Sequence, residues 1–250
     1  MFQLRKVNRA RKYLKFITNF LFKLFQLNLR YKETRTDYGI EIFEYFYLPW
    51  RSNEKFKIIY DKVSDFTLNP QSRLYTIFEN SQKYLREDTV FIEVGTWKGG
   101  VCGLVSLANK EKNVEIYACD TFSGVQNSSS RDSFFKDGEY SDASADDIKK
   151  ISKIVNRNIH VVEGIFPESF QNINLEKNIS MAHIDVDTYI SARESFEFIS
   201  SRLVPGGLII LDDYGGWFTD GVTKFGEELK LIEDYISIPN HLGQLLIFKK

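Results

Sequence analysis

Five short apolar runs in this chain each stop at or beside an acidic residue or a glycine. They are TVFIEVG (89–95), VEIYACD (114–120), IHVVEG (159–164), ISMAHIDV (179–186) and LIILDD (208–213). Apolar residues at helical spacing fill the stretches between them, at 99–109, 145–156 and 189–203. The last carries Tyr189, Ala192, Phe196, Ile199 and Leu203 along one stripe. Strands alternating with helices predict an α/β fold with a doubly wound, mostly parallel sheet. In such sheets ligands bind at the carboxyl ends of the strands. Glu93, Gly95, Asp120, Gly164, Asp185, Asp187, Asp212 and Asp213 all fall at those ends.

Residues 54–87 read as a helical lead-in, in two pieces broken around Asn69 and Pro70. A short helix near 167–171, a helix around 222–234 and a closing strand pair, YISIP and QLLIFKK, complete the pattern. Pro205-Gly206-Gly207 is expected to end helix 189–203 ahead of the strand at 208. Segment 121–144 is long for an α/β connection, so it reads as a lid or as a plain surface loop. As a lid it would cover a cofactor with Phe134, Phe135 and Tyr140, and Tyr214 and Trp217 would face an acceptor.

FIEVGTWKGG joins a strand, a turn and a helix start. Gly95 lets the backbone turn tightly and approach a ligand, and Gly99 and Gly100 free the helix start. An acid, Glu93, precedes the first glycine, which suits a ligand with a positive group better than a pyrophosphate. Asp120 ends the next strand, where a carboxylate can take both hydroxyls of a ribose. Together these residues point to an adenosine cofactor, with the adjoining Thr96 and Thr121 in the same binding set.

Asp185 and Asp187 are two apart, and Asp212 and Asp213 end what would be the neighbouring strand. Converging carboxylates repel and raise one another's pKa unless a cation joins them. An all-oxygen set without Cys or His favours Mg²⁺, with Mn²⁺ or Ca²⁺ as alternatives. The plainer readings are that Asp187 caps helix 189–203 and that Asp213 starts a turn. His183, on the same face as Asp185 in a regular strand, reads as a support behind the metal ligands or, more plainly, as a core histidine.

These motifs carry a resemblance. FIEVGTWKGG, CDTFSG, VVEGIFPESF, HIDVDTYISARES and LVPGGLIILDDYG resemble the macrocin O-methyltransferase family, class I enzymes dependent on S-adenosylmethionine. The likeness runs from about LPWRSNEKF and DFTLNPQSRLY to the C-terminus. It implies a seven-stranded sheet whose last strand is antiparallel. It places Glu93 and Gly95 at the methionine and ribose of S-adenosylmethionine, Asp120 at the ribose hydroxyls, and Gly164, Ile165 and Phe166 near the adenine. Asp185, beside the cofactor, would ligate the metal together with Asp212 and Asp213, and Asp187 would be the general base. The implied acceptor is a sugar hydroxyl of a glycan or glycosylated natural product. A catechol-type acceptor, an NAD-dependent oxidoreductase and a non-catalytic binding module are the rival readings.

Charge is uneven. Residues 1–32 hold nine Lys or Arg and no acid, while the whole 250-residue chain has a net charge of -1. Nucleic acid is therefore not an expected partner. The N-terminal segment reads as a basic amphipathic helical extension, separate from a catalytic domain at 33–250. It suits either the inner face of an anionic membrane or packing on the catalytic domain or on a second copy in a homo-oligomer. It is too short and too interrupted by Lys15 and Lys23 to span a bilayer, and no cleavage site follows it. Cys102 and Cys119 lack metal or disulfide spacing. A cytoplasmic enzyme, peripheral to the membrane if the segment binds it, is the resulting expectation, with polysaccharide biosynthesis a suitable setting.

Overall fold

Seven strands lie side by side in the computed structural model, which describes residues 48–250 apart from Asn172. They are β1 (Thr89–Val94), β2 (Val114–Asp120), β3 (His160–Glu163), β4 (Ile179–Ile184), β5 (Leu203–Asp212), β6 (Tyr235–Asn240) and β7 (Gln244–Lys249). Their order is β3-β2-β1-β4-β5-β7-β6. The first five run parallel, and β7 is antiparallel to both β5 and β6. The doubly wound, mostly parallel seven-stranded sheet expected from the sequence is therefore present.

Six α-helices accompany the sheet among the described residues: α1 (Glu54–Val63), α2 (Gln71–Tyr84), α3 (Gly100–Ala108), α4 (Ala145–Val155), α5 (Tyr189–Arg202) and α6 (Asp220–Leu229). Phe91, Ile116, Met181 and Ile210 point to one face of the sheet, where α1 to α4 supply Ile59, Leu74, Leu104 and Ile148. Ile92, Cys119, Ala182 and Ile209 point to the other face, packed by Phe196 of α5 and Phe225 of α6. Because both faces are covered, every residue of β1 and β4 is buried, which is why their sequences are apolar without alternation. Local signals set the helix starts. Asn53 accepts from the Phe56 amide at the head of α1, and Ser144 and Asp147 form a reciprocal capping box at α4.

Two boundaries differ from expectation. β5 begins at Leu203 and contains Pro205-Gly206-Gly207, which does not separate helix from strand. Ile179 pairs with Leu203 and Met181 with Leu208, so residues 204–207 form an irregularity inside the strand. The expected helix at 222–234 runs from Asp220 to Leu229, because Leu231 is 84% exposed and gives a further turn nothing to pack against. Pro49–Lys250 make up one compact unit. The expected boundary at residues 32 and 33, and the basic segment itself, lie outside the described residues. No described helix is long and apolar enough to cross a membrane.

The strand order reverses direction at β1 and β4. From β1 the chain steps outward to β2 and β3, then returns to the other side of β1 as β4. The crevice at the carboxyl ends of β1 and β4 is thus the topological switch point, where α/β sheets place their ligands.

Candidate active site

The turn after β1 is shaped by what lies under it. Gly95 has φ +81, and a Cβ there would collide with the Asp185 carbonyl oxygen, so only glycine fits. The Asp185 amide donates to the Val94 carbonyl at 2.9 Å, locking the ends of β1 and β4 together. Glu93 is only 1% exposed. Its Oε2 accepts from Thr96 Oγ1 at 2.8 Å, the Cys102 amide at 3.2 Å and Cys102 Sγ at 3.0 Å. Its Oε1 faces His183 Nδ1 at 3.1 Å. Glu93 and Thr96 therefore brace the turn from beneath; the Glu93 carboxylate is turned inward, away from the crevice.

Asp120 ends β2 and accepts from the amides of Trp97 and Phe122, each at 2.8 Å. Burial holds its pKa above the usual carboxylate range. Thr121 Oγ1 donates to the Gly124 carbonyl. Gly164 follows β3 with φ +126, and its amide donates to the Asp120 carbonyl at 2.9 Å. Gly164 and Ile165 line a cavity of about 650 Å³ with Asn127, Glu168, Ser169, Ile190 and Glu194. Phe166 is buried against Phe170 and Phe198, behind that wall.

The four aspartates do converge. Oxygens of Asp185, Asp187 and Asp213 lie within 4.8 Å of one another, and Asp185 is also grouped with Asp212 and His183 at the same limit. Asp185 and Asp187, two apart, do not converge through the pleat of an extended strand. β4 stops at Ile184, the Thr188 amide turns back to the Val186 carbonyl at 2.7 Å, and Asp187 adopts φ +62. A left-handed turn, costly for a non-glycine residue, brings Asp187 to the cluster. Asp187 is not the cap of α5; Thr188 occupies that position and Asp132 accepts from the Tyr189 amide at 2.9 Å. Asp213 also has φ +62, and its carbonyl accepts from the Gly216 amide and Thr219 Oγ1. Its backbone makes a turn while its side chain joins the cluster.

Charge is the dominant fact about this site. At about 4.8 Å and an effective dielectric of about 20, each ionised pair repels by roughly 3 kcal/mol. Burial and the neighbouring aspartates hold Asp185 and Asp187 well above the usual carboxylate range. Asp212 lies deeper, 1% exposed. Burial works against its charge, but Arg73 and His183 outweigh that and lower its pKa. His183 is fully buried, with Nε2 donating to Asp212 Oδ2 at 3.0 Å. Burial opposes its protonation, yet Asp212 and Glu93 raise it to about 10. Held between Glu93 and Asp212, it links the turn after β1 to the acidic cluster, a supporting place that the sequence offered beside the reading as a core histidine.

Two further residues escaped sequence reading. Asn69 Nδ2 donates to Asp185 Oδ2 at 2.9 Å. Arg73 Nη1 contacts Asp212 Oδ1 at 2.9 Å and Asp213 Oδ1 at 2.8 Å. One signal was present: Arg73 sits in the first turn of α2, where the helix dipole disfavours a cation unless something else holds it.

Segment 121–144 is tied down by its own hydrogen bonds and by α6. Val125 exchanges backbone hydrogen bonds with Gly138 and Glu139, and the Ser133 amide and hydroxyl both donate to Asp220. Phe134 packs edge-on to Trp217 and Phe218, with Trp217 66% exposed. Tyr140 touches Phe135, and burial together with Asp187 raises its phenol pKa. Tyr214, in the turn after β5, is bonded to Glu227 and lies against Gly226, so it packs on α6.

A glycine turn and an acidic residue on consecutive strands, with an aspartate cluster at the switch point of this sheet, define a class I methyltransferase. Residues 65–242 match the family described as Macrocin-O-methyltransferase (TylF), and the chain belongs to that family. It is thus an O-methyltransferase of an S-adenosylmethionine-dependent family. Solved structures share the fold at low identity. The O-methyltransferase NovP is 18% identical with a TM-score of 0.56, over 74% of this chain and 82% of that one. CalS11, a calicheamicin methyltransferase, is 14% identical with a TM-score of 0.59, over 81% and 82%. An O-methyltransferase from Bacillus cereus in complex with SAH is 15% identical with a TM-score of 0.52, over 79% and 91%. No match was found among curated protein sequences. Family membership displaces the oxidoreductase and the non-catalytic readings.

Proposed function

We propose that this enzyme transfers the methyl group of S-adenosylmethionine to a sugar hydroxyl, with a divalent cation at the aspartate cluster. The observation that carries the cation is the charge imbalance. Among the described residues, Glu93, Asp185, Asp187, Asp212 and Asp213 are met by Arg73 and His183 alone, and burial together with the neighbouring aspartates pushes Asp185 and Asp187 towards protonation. The donors at the mouth are all carboxylate oxygens, which fit a hard ion such as Mg²⁺, Mn²⁺ or Ca²⁺. When bound, the ion would supply Lewis acidity that orients an acceptor hydroxyl and lowers its pKa.

Asp185, Asp212 and Asp213 are the proposed ligands and Asp187 the base. The acceptor oxygen attacks the sulfonium methyl, its proton passes to the Asp187 carboxylate, and the sulfonium leaves as a neutral thioether. A second division of labour is favoured by the engagement of Asp212. Its Oδ2 already takes His183 and Gln244, and its Oδ1 takes Arg73 and the Asp213 amide. In that reading Asp187 completes the ligand set with Asp185 and Asp213, and Asp212 braces them. For the cofactor, Asp120 takes the ribose hydroxyls, Gly95, Thr96, Thr121 and Asp185 border the methionine and ribose, and the cavity at Gly164 and Ile165 takes the adenine, with Phe166 packed behind it. Glu93 serves this site by holding the turn.

A sugar acceptor is supported by family membership and by CalS11, described as a TDP-rhamnose 3'-O-methyltransferase. The exposed Phe134 and Trp217 suit the apolar face of a sugar ring. Residues 1–32 are proposed to be a segment apart from the catalytic domain that attaches it to an anionic membrane surface, which favours an envelope glycan as acceptor. The test is a product screen by mass spectrometry, with isotopically labelled S-adenosylmethionine and both nucleotide sugars or glycans and catechols as acceptors. Label in sugars alone supports the proposal; label in catechols alone overturns it.

A further inference from the structure

The stretch from Phe66 to Arg73 touches three parts of the site in eight residues. At its start, Phe66 and Thr67 lie so close to Gly100 that a Cβ there would be 2.6 Å from the Phe66 carbonyl oxygen. Gly100 opens α3, the helix that follows the cofactor turn. In the middle, the Asn69 amide is held by Thr67 Oγ1 at 3.1 Å while Nδ2 grips Asp185 Oδ2. One helical turn later, Arg73 Nη1 gathers Oδ1 of both Asp212 and Asp213, and its Nε donates to the Leu242 carbonyl at 2.8 Å. A side chain at Gly243 would come within 2.6 Å of the guanidinium, so the hairpin between β6 and β7 closes over it. The acidic cluster is therefore gripped from a segment more than a hundred residues away in sequence, and that segment rests on the cofactor helix.

We propose that Asn69 and Arg73 are positioning residues that select which aspartate oxygens face the cation, and that they set the cluster at a fixed distance from the cofactor turn. Asn69 occupies Oδ2 of Asp185 and leaves Oδ1 to the mouth. Arg73 occupies Oδ1 of Asp213 and leaves Oδ2. A planar guanidinium can bridge two carboxylates at fixed angles, which an ammonium on a flexible stem does not do. The inference rests on the cation proposed above.

The test uses the full chain and two variants that leave net charge unchanged, Asn69→Ala and Arg73→Lys. Mn²⁺ alone is titrated and followed by electron paramagnetic resonance. Binding of S-adenosylhomocysteine and melting temperature in chelator are measured beside it. Loss of outer partners typically weakens metal binding by about 10- to 100-fold. Each variant should lose Mn²⁺ affinity on that scale and alter the Mn²⁺ spectrum, while S-adenosylhomocysteine affinity stays within about twofold. Wild-type Mn²⁺ affinity in both variants overturns this inference alone. A wild-type chain that takes up no Mn²⁺ overturns the cation reading and this inference with it.

Discussion

Gly95 and Asp185 meet backbone to backbone at the switch point of the sheet. The glycine's φ of +81 and the Asp185 carbonyl beneath it leave no room for a side chain. The turn after β1 and the acidic cluster are thereby built on one contact. Gly95→Ala should cost about 3 kcal/mol or more, from the left-handed backbone and the overpacking together. Calorimetry should show the lower melting temperature, and S-adenosylhomocysteine binding should weaken in the same variant. Unchanged stability would show that the turn relaxes freely.

S-adenosylmethionine or its demethylated product should raise the melting temperature, since a ligand that binds only the native state stabilises it. NAD should leave it unchanged. Asp120→Asn should weaken the shift, because the carboxylate that Trp97 and Phe122 orient would lose a ribose partner. A full shift in Asp120→Asn would place the ribose elsewhere.

Chelation should abolish turnover and Mg²⁺ restore it. Asp187→Asn should lower turnover by roughly 10²-fold, the usual scale for a general base. The Mn²⁺ affinities of Asp187→Asn and Asp212→Asn separate the two divisions of labour. If Asp187 is the base, Mn²⁺ still binds its variant and is lost from Asp212→Asn. The reverse pattern makes Asp187 a ligand. Full activity of all forms in excess chelator would leave the cluster without a cation.

Stability in chelator should fall as pH rises from about 6 to 9. His183 has its folded pKa raised to about 10 from 6.5, so its contribution is complete below 6.5 and is lost as pH climbs through 10. Asp185 and Asp187 are also raised, so ionising them above the ordinary carboxylate range opposes folding in the same direction. Asp212, whose pKa is lowered, acts oppositely, losing its contribution as pH falls through its folded value. A saturating divalent cation should flatten the slope, because it stabilises the ionised aspartates. Melting curves at several pH values, with chelator and with Mg²⁺, measure this; a slope that Mg²⁺ leaves unchanged would count against a cation at the cluster.

The strand ends were readable because a strand buried on both faces must be apolar, and its first charged or glycine residue marks where it leaves the sheet. Asp120, Asp185 and Asp212 stood out for that reason. The partners of Asn69 and Arg73 were not readable, since they lie 116 and 140 residues away; the cation in the first turn of α2 hinted that something holds Arg73, but not what. His183 looked like core because a lone histidine on an apolar strand gives no hint of carboxylates on both neighbouring strands. Glu93 was read as facing the ligand, and only the packed turn shows that its oxygens point inward. Pro205-Gly206-Gly207 resembled a helix stop, and only the pairing of Leu203 with Ile179 shows that the strand had already begun.

β7 sits between β5 and β6, with both of its edges occupied, although the ribosome makes it after each of them. Gln244 at its start bonds Asp212, and Leu242 just before it receives Arg73. A chain ending at β6 would hold the residues of the parallel strands and of the Gly95 turn, yet would lack Gln244 beside Asp212 and the Leu242 carbonyl that receives Arg73. Whatever the order in which the strands pair, the last contacts of Asp212 and Arg73 form only once β7 has docked on β5, so the sheet and the acidic cluster are completed by the same event.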